Sequence, residues 1–304
     1  MLLTAGVDDV GRRLDRIVRK LCPNVPLSII YRLLRKGCIL VDGKKAEPHE
    51  RIHLNSVIFI PFSASDTVSD RTTRLVQENQ STNVEIIAES EHLLALNKPS
   101  GMAVHDGKDS LTAWVAAYLA GKLRPSLSFT PGPLHRLDQA TSGLIVFSKS
   151  LEGARLFTAL IRERIVVKRY IALVDGRVDK EYLWEDLLLR DQDQRKTFAN
   201  AQGKSALTRV FPLAVSARQS LVRAEIFTGR THQIRAQASL HGHPLSGDKK
   251  YGGSFQKNGF LLHAFEMEFP SDKPFASQKL TARPPQAFQK KIEAIFERKI
   301  IIVT

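Results

Sequence analysis

The stretch HRLDQATSGL, residues 135–144, places a guanidinium group, a carboxylate and a Thr-Ser-Gly turn directly ahead of the apolar run Leu144–Phe147. A short apolar run that follows a turn predicts a buried strand. A carboxylate at the end of a loop, beside a guanidinium group, stays ionised and fixed in position, which suits a nucleophile or a base. The alternative is a surface ion pair between Arg136 and Asp138, and an isolated Arg-x-Asp is more often of that kind.

Three other segments place Gly, Pro and polar residues next to apolar strands. Asn97–His105 follows a strand and by itself is typical of a Pro-Gly turn. Lys168–Val174 predicts a strand, in which the ring of Tyr170 could simply pack in the core. In Gly229–Gly252, a helix beginning near Thr231 would offer backbone N–H groups and basic side chains to a phosphate. The alternative for this last segment is a structural loop held by Asp248 and its neighbours.

Strand and helix signals are mixed after residue 84 without a regular β-α-β alternation, which indicates an α+β fold. The remaining predicted strands are Val84–Ile87, Leu93–Leu96, Leu207–Val215 and Leu221–Phe227. Helices are predicted over Leu111–Leu123 and Leu151–Arg164.

A small module with two predicted helices precedes this region. Apolar residues recur with helical spacing along one face of the first helix, at Leu14, Ile17, Val18 and Leu21. Pro23 and Pro26 end that helix. Ser28 is predicted to cap the second helix, which ends at Gly37.

A short hairpin completes the module. Strands are predicted at Ile39–Val41 and Val57–Ile60, with Asp42-Gly43 as a tight turn after the first. Basic residues lie on or beside the second helix, at Arg32, Arg35 and Lys36. They could be an ordinary solvated helix face. Polar residues dominate from Ser63 to Asn83, and such a stretch cannot bury enough apolar surface to order itself, so it is predicted to be a linker.

The charge of the chain indicates a polyanionic partner. Its 304 residues contain 45 Lys and Arg against 31 Asp and Glu, a net charge of +14, whereas the apolar fraction of 43% is ordinary. A membrane surface is disfavoured because the sequence has no bilayer-length apolar run and no apolar leader. Two cysteines do not suggest a disulfide framework, and the histidines lack the spacing of a closed zinc site. We therefore expect a cytoplasmic, metal-free protein.

The N-terminal module resembles the S4 family of RNA-binding domains. The resemblance rests on RLD at 13–15, VPLSIIYRLLRKG at 25–37 and VDGK at 41–44. Members of that family bring a basic helix face to RNA phosphates, and such contacts position a protein without specifying sequence. The resemblance implies an RNA-binding domain over residues 1–62, with Arg32, Arg35 and Lys36 on the RNA. The linker at 63–83 then joins it to a catalytic domain over 84–304.

From Val84 onward, the order and content of the four segments are similar to those of the RluA family of pseudouridine synthases, to which the pattern in HRLDQATSGL is highly specific. With the S4 module ahead, the chain looks most like the C-type subgroup, which acts on the 23S RNA of the large ribosomal subunit. The resemblance implies a mixed, mainly antiparallel sheet with flanking helices, after a small S4-type α+β domain. It also implies RNA as the partner, and nothing in the chain demands more than a monomer.

The resemblance implies that Asp138 is the catalytic residue. It would attack the anomeric carbon of the ribose or the uracil ring, or remove a proton from the sugar. The glycosidic bond breaks, the uracil turns within the pocket, and its C5 is joined to the sugar. No cofactor is implied, because the isomerisation is redox-neutral and the uracil never leaves.

Other residues take roles by the same resemblance. Arg235 pairs with the aspartate and keeps it charged, and Tyr170 stacks on the target base and could assist removal of the C5 proton. Arg136 takes the place of the extruded nucleotide, and His135 and Arg230 also contact RNA. This set agrees with the physical problem, because a stacked uridine must be extruded and then gripped by aromatic and guanidinium planes.

The chain departs from the family at Gln237, where a histidine is usual. Two other classes remain as alternatives. A non-catalytic RNA-binding or ribosome-assembly factor would explain the charge and the S4 module, but it has no need of Asp138, Tyr170 and Arg235 together. A glycoside-cleaving enzyme usually needs two facing carboxylates, and only Asp138 has a motif of its own.

Overall fold

The computed structural model describes residues 1–62, 83–270, 274–297 and 300, and these divide into two compact units. The first unit comprises the described parts of Met1–Asn83 with His105–Gly132 and Ser148–Ala154, and the second comprises Val84–Val104, Pro133–Phe147 and the described parts of Arg155–Thr304. Apart from Asn83, the linker predicted at 63–83 lies outside the described residues. The domain boundaries 1–62 and 84–304 therefore stay predictions.

Two helices, α1 (Leu14–Leu21) and α2 (Leu27–Arg35), form where the sequence predicts them. Helix α2 begins directly after Pro26, whose extended backbone takes the capping position. The prediction that Ser28 caps this helix is wrong, because Ser28 lies inside the first turn. Proline has no side-chain acceptor, so the helix starts without a side-chain cap. The helix ends as predicted before Gly37, which has a φ of 68°.

The first unit contains a four-stranded antiparallel sheet. Its order is β1 (Leu2–Thr4), β4 (Val57–Phe59), β2 (Leu40–Val41) and β3 (Lys44–Lys45). The predicted Asp42-Gly43 turn is confirmed, with φ values of 51° and 76° that suit a type I′ hairpin. Apolar side chains of both helices and the sheet form one core, including Leu14, Ile17, Ile30, Leu34 and Ile58.

The motif residues of the module connect its two helices. Arg13 donates hydrogen bonds of 3.1 and 2.8 Å to the carboxylate of Asp15 at the start of α1. The hydroxyl of Tyr31, on α2, donates a third bond of 2.9 Å to the same carboxylate. These charge-assisted bonds give the Arg-Leu-Asp motif a structural role in this protein.

A buried carboxylate also organises the first unit. Asp9 accepts five hydrogen bonds, from the N–H groups of Gly6, Leu127 and Ser128 and from the hydroxyls of Ser126 and Ser128. Asp9 is fully buried, and a carboxylate removed from water needs several hydrogen-bond donors to offset the loss of hydration. Residues 126–128 follow helix α3 (Leu111–Tyr118), which ends before the predicted Leu123.

The second unit contains an eleven-stranded mixed sheet, which confirms the predicted α+β class. The nine strands of its main path run in the order β11 (Lys196–Ala199), β10 (Tyr182–Asp191), β12 (Lys204–Val215), β13 (Gln219–Ile226), β9 (Val167–Asp175), β14 (Leu262–Glu268), β8 (Ser142–Ser148), β6 (Leu93–Lys98) and β5 (Glu85–Glu89). Strand β15 (Lys279–Thr281) pairs with β14, and β7 (Gly132–Pro133) pairs with β8.

Most neighbouring strands with a defined register are antiparallel, but β14 runs parallel to β8. The long strands β10 and β14 are additional to the predicted set. Three helices belong wholly or partly to this unit: α4 (Leu151–Arg162), α5 (Gln233–Leu240) and α6 (Gln286–Phe296). Helix α6 packs Phe288 and Ile292 on the sheet, whereas α5 packs Ala236 against Leu188 and Ala206.

Candidate active site

A pocket in the second unit brings together three of the four segments identified in the sequence. It lies among the turn ahead of β8, the strand β9 and the start of α5. Its lining consists of Arg136, Leu137, Asp138, Thr141, Tyr170, Ile226, Arg230, His232, Gln233, Ile234, Arg235 and Leu262. Aromatic, guanidinium and carboxylate groups therefore converge on one concavity, which is how ligand sites are usually built.

The segment Asn97–His105 does not line the pocket, but it supports the turn that presents Asp138. The Gly101 N–H donates to the carbonyl of Gln139 at 2.9 Å, and the Gln139 side chain donates back to the Gly101 carbonyl at 2.9 Å. The Ser100 hydroxyl donates to the carbonyl of Ala140 at 2.7 Å. The Pro-Gly turn thus fixes the backbone on the C-terminal side of Asp138.

Lys98 is a fully buried cation beneath this turn. Its ammonium group donates to three carbonyl oxygens, those of Pro99 at 2.8 Å, Met102 at 2.8 Å and Gln139 at 2.9 Å. Burial lowers the pKa of Lys98 to about 8, while the negative charge of Asp138 acts in the opposite direction. All three donors of the ammonium have acceptors, which a buried lysine requires.

Asp138 meets the guanidinium group of Arg235, as the resemblance implies. Arg235 Nη1 donates to Asp138 Oδ2 at 2.9 Å. The other edge of the guanidinium donates to both oxygens of Asp248, at 2.6 and 2.9 Å. Asp248 is 1% exposed and Arg235 is 7% exposed, so this fork-to-fork pair is removed from water.

Two aromatic rings further restrict Arg235. Its guanidinium carbon lies 5.0 Å from the ring centre of Tyr251 and 4.5 Å from that of Phe260, distances typical of cation–π contacts. Burial opposes the charge, but hydrogen bonds to Asp248 and Asp138 raise the pKa of Arg235 above its usual range. The pocket therefore contains a permanently charged cation of fixed orientation.

Tyr170 lies on β9 and lines the same pocket. It is 8% exposed, and burial together with the charge of Asp138 raises its pKa above the usual range. The ring is therefore a neutral phenol at physiological pH. The structure brings Asp138, Tyr170 and Arg235 together, as the sequence predicts.

His232 is a lining residue that the sequence reasoning missed. Its Nε2 lies 3.7 Å from Asp138 Oδ1, and its Nδ1 lies 2.8 Å from the hydroxyl oxygen of Tyr251. Burial lowers the pKa of His232 to about 4, with the positive charges of Arg235, Arg190 and Lys250 contributing and the charge of Asp138 acting in the opposite direction. Its place in the dense polar run Gly-Arg-Thr-His-Gln was the available signal.

The three residues of this unit that are predicted to contact RNA differ in their exposure and in their contacts. Arg136 is exposed at the pocket, and Arg230 lines it while donating to the Ser205 carbonyl at 2.9 Å. His135 lies outside the pocket lining. Its Nε2 accepts the Val146 N–H at 3.1 Å and its ring stacks on Phe157, so it supports the turn ahead of β8.

The helix predicted to begin near Thr231 begins at Gln233, with His232 preceding it in a left-handed conformation. The Arg230 N–H donates to the side-chain carbonyl of Gln233 at 2.9 Å, and the Gln233 N–H donates to the Arg230 carbonyl at 3.1 Å. The prediction that backbone N–H groups are free here is therefore wrong for Arg230 and Gln233. A side-chain carbonyl accepts the first N–H and a backbone carbonyl accepts the second, so neither is left for a phosphate.

Gln237, the departure from the family pattern, is fully buried on α5. Its carbonyl oxygen accepts the Thr208 hydroxyl at 2.6 Å. Its amide nitrogen lies within 3.2 Å of three acceptors, the carbonyls of Trp184 and Ala206 and the carboxylate of Asp186. Glutamine thus connects α5 to β10 and β12, and it is not among the residues that line the pocket.

In the first unit, Arg32, Arg35 and Lys36 are exposed on α2 or at its end. Among the described residues, no group of three or more His, Cys, Asp or Glu side chains is placed to hold a metal ion. No described helix has both the length and the apolar character needed to cross a bilayer.

Comparisons with known proteins agree with this fold and site. The family profile for RNA pseudouridylate synthase matches residues 92–240, and the S4 domain profile matches residues 12–58. The chain is 33% identical to "Ribosomal large subunit pseudouridine synthase C" of Vibrio cholerae, over 91% of this chain and 90% of that protein. It is 32% identical to the proteins of the same name from Pasteurella multocida, over 98% and 94% of the two chains, and from Escherichia coli, over 88% of each.

Two solved structures share the fold. "Human RNA Pseudouridylate Synthase Domain Containing 4" has a TM-score of 0.59 at 22% identity, over 75% of this chain and 98% of that one. "Human RNA Pseudouridylate Synthase Domain Containing 1" has a TM-score of 0.57 at 24% identity, over 70% and 88%. Fold and site together are those of an enzyme that isomerises a base within RNA. The chain belongs to the RNA pseudouridine synthase family, with an S4 domain at its N-terminal side.

Proposed function

We propose that this enzyme converts uridines of large-subunit ribosomal RNA to pseudouridine with Asp138 as its catalytic residue. The observation that supports this most directly is the contact of 2.9 Å between Asp138 Oδ2 and Arg235 Nη1 inside the pocket that Tyr170 lines. The Asp138 side chain is 19% exposed, so one carboxylate is both paired and accessible to a nucleotide.

The reaction begins when the target uridine leaves its stack and enters the pocket. Asp138 then attacks the ribose or the uracil, or removes a proton from the sugar, and the glycosidic bond breaks. The bidentate pair with Asp248 holds Arg235 in place, and Arg235 in turn holds the carboxylate of Asp138. The reacting oxygen therefore keeps a fixed position. The detached uracil turns, and its C5 bonds to the anomeric carbon while the bond to Asp138, where one has formed, breaks. C5 then loses its proton to a base, and N1 gains a proton.

Tyr170 supplies an aromatic face for the uracil, and its phenol is neutral because burial raises its pKa. Exposed Arg136 is suited to fill the gap that the extruded nucleotide leaves, since a guanidinium plane can stack on bases. Arg230 is suited to a phosphate at the edge of the pocket. His135 supports the turn by accepting the Val146 N–H and stacking on Phe157.

The choice of large-subunit ribosomal RNA rests on the names of the relatives and on the S4 domain. In this proposal Arg32, Arg35 and Lys36 bind phosphates and bring the enzyme to its RNA without reading sequence. The enzyme acts as a monomer in the cytoplasm, where ribosomal RNA is made and assembled.

The catalytic assignment is tested with ribosomal RNA that carries tritium at uracil C5. The wild-type enzyme releases tritium to water, and Asp138→Asn is expected to release it more than about 1,000-fold more slowly, because the amide can neither attack nor accept a proton. Asp193→Asn, which removes the same charge from an exposed position of the same unit, is the matched control and should retain full activity. Equal rates for Asp138→Asn and the control would exclude the assignment.

The substrate is tested by mapping pseudouridines in ribosomal RNA from cells with and without the gene. Sites that disappear from large-subunit RNA, and return with the wild-type gene but not with Asp138→Asn, are the expected result. An unchanged large-subunit map would refute the proposed substrate.

A further inference from the structure

Each oxygen of the Asp138 carboxylate faces a different nitrogen-bearing side chain. Oδ2 accepts from Arg235 at 2.9 Å, whereas Oδ1 lies 3.7 Å from Nε2 of His232. The second separation is longer than a hydrogen bond, but hydrogen bonds of unoccupied active sites are often long and shorten when substrate fills the site. His232 is therefore positioned to act on the oxygen that Arg235 leaves unpaired.

The far side of the His232 ring favours one position for the imidazole proton. The Thr197 N–H donates to the Tyr251 hydroxyl oxygen at 2.9 Å. That oxygen lies 2.8 Å from His232 Nδ1, and its own proton is then available for this nitrogen. A neutral imidazole that accepts at Nδ1 carries its proton at Nε2. With Tyr251 donating to Nδ1, the Nε2–H group points to Asp138.

The backbone at His232 supports a specific role for this side chain. His232 has a φ of 54°, a left-handed conformation that side chains with a Cβ adopt at an energetic cost. Such strain persists only where the surroundings impose it, and it is concentrated at functional sites. Here the surroundings include a bond of 2.9 Å from the Thr197 hydroxyl to the Thr231 carbonyl and the edge contact between the His232 and Tyr251 rings.

We propose that His232, in the Nε2–H form selected by Tyr251, is a positioning residue that fixes the second oxygen of Asp138 for catalysis. The inference rests on the proposed catalytic role of Asp138. The series of contacts from Thr197 through Tyr251 to His232 links strand β11 to the carboxylate of Asp138. The charged groups around the imidazole are Asp138, Arg235, Arg190 and Lys250, and burial among three cations keeps the ring neutral.

Two substitutions at His232 separate positioning from a merely structural role. Asparagine tolerates the left-handed backbone well for a residue with a Cβ, but its short amide has the reach of Nδ1 towards Tyr251 and not that of Nε2 towards Asp138. Glutamine tolerates that backbone less well, but its amide nitrogen extends about as far as Nε2. We expect His232→Asn to lower the single-turnover rate of tritium release about 10- to 100-fold, with the half-saturating enzyme concentration unchanged. His232→Gln should be the faster of the two variants.

The ranking of these variants decides the question. A structural role predicts the reverse order, with His232→Asn the more active and the more stable protein. If His232→Asn equals wild type in rate, or if only RNA affinity changes, the inference is wrong. Asp138→Asn is measured alongside: its inactivity with unaffected His232 variants would overturn this inference alone, whereas an active Asp138→Asn would overturn the proposed function as well.

The proton position is measured in the unsubstituted protein, and only the assignment of its signals needs a folded variant. Nitrogen-15 spectra of the histidine side chains distinguish the two neutral forms, and the His232 signals are assigned by their loss in His232→Gln. We expect the Nε2–H form at pH 7 in wild type and a mixture of forms in Tyr251→Phe, which keeps the ring but loses the hydroxyl. An Nδ1–H form or an imidazolium in wild type would contradict the proposal.

Discussion

At the level of single residues, the second unit contains three histidines that burial keeps neutral. Burial lowers the pKa of His135 to about 3 and those of His232 and His263 to about 4. His263 is fully buried on β14 beside the start of β8. Its Nδ1 lies 2.9 Å from the Ser142 hydroxyl and its Nε2 lies 2.8 Å from the Ala282 carbonyl. Since a carbonyl only accepts, the proton is at Nε2 and Nδ1 accepts from Ser142.

This arrangement predicts that acid destabilises the enzyme through His263. Its pKa is lower in the folded than in the unfolded chain, where it is about 6.5. The unfolded state therefore binds more protons between pH 6.5 and about 4, and the free energy of unfolding falls as the pH falls through this window. From pH 7.5 to 5, His263 should account for a loss of about 2 kcal/mol.

The measurement is urea unfolding at both pH values. His263→Gln should lose about 2 kcal/mol less between pH 7.5 and 5 than wild type does, whatever its absolute stability. His105→Gln, at an exposed position, is the control and should follow wild type. Parallel losses in all three proteins would show that His263 is not the titrating group.

At the level of elements, the parallel contact between β8 and β14 positions the turn that presents Asp138. Gly143 pairs with Ala264 across this contact and has a φ of 109°. A Cβ at Gly143 would lie 2.2 Å from the Ala264 carbonyl oxygen and 2.6 Å from its nitrogen. The glycine of the Thr-Ser-Gly turn is thus required both by backbone conformation and by close strand approach.

We therefore expect Gly143→Ala to destabilise the protein by about 2 kcal/mol or more, because β8 must separate from β14. Gly132→Ala is the matched control, since Gly132 has an ordinary φ and nothing within 4 Å of the added Cβ. Chemical unfolding measures both effects. A Gly143→Ala protein as stable as the control would mean that β8 and β14 can accommodate the added Cβ without separating.

At the level of the whole molecule, the basic residues fall into a buried group, which is paired inside the protein, and an exposed group. Inside the second unit, Lys98 and Arg235 are cations whose donors are satisfied by carbonyls and carboxylates. In the first unit, the basic groups on α2 are exposed and available to a polyanion. Exposed charges of the second kind release counterions when they meet RNA phosphates, so they should contribute to the salt dependence of affinity.

A triple substitution of Arg32, Arg35 and Lys36 by glutamine should weaken RNA binding. The slope of log K against log salt falls by about 0.7 to 0.9 for each phosphate that the protein no longer neutralises, so it should decrease by about 2 to 3. Substituting Arg177, Lys257 and Lys290, exposed in the second unit, removes the same net charge and is the control. Binding titrations at several salt concentrations test this. Equal slopes for the two triple variants would contradict the RNA-binding role of α2.

Local patterns in the sequence were sufficient for much of the fold. Helical spacing from Leu14 to Leu21, the Asp42-Gly43 turn and the apolar run after Gly143 all form the predicted elements, because these signals act between near neighbours. The capping assignment of Ser28 failed where Pro26 imposed its own backbone. The start of α5 was misplaced because the Gln233 side chain satisfies the backbone there.

The sequence by itself identified the family, and it predicted three residues that meet in the pocket, Asp138, Tyr170 and Arg235. Tertiary structure alone showed how that carboxylate is held. Asp248, Lys98, His232 and Tyr251 lie on separate segments, and only the pairing of β8, β9 and β14 and the packing of α5 bring them near Asp138. Contacts between residues so far apart in the chain leave no local periodicity, so a single sequence does not reveal them.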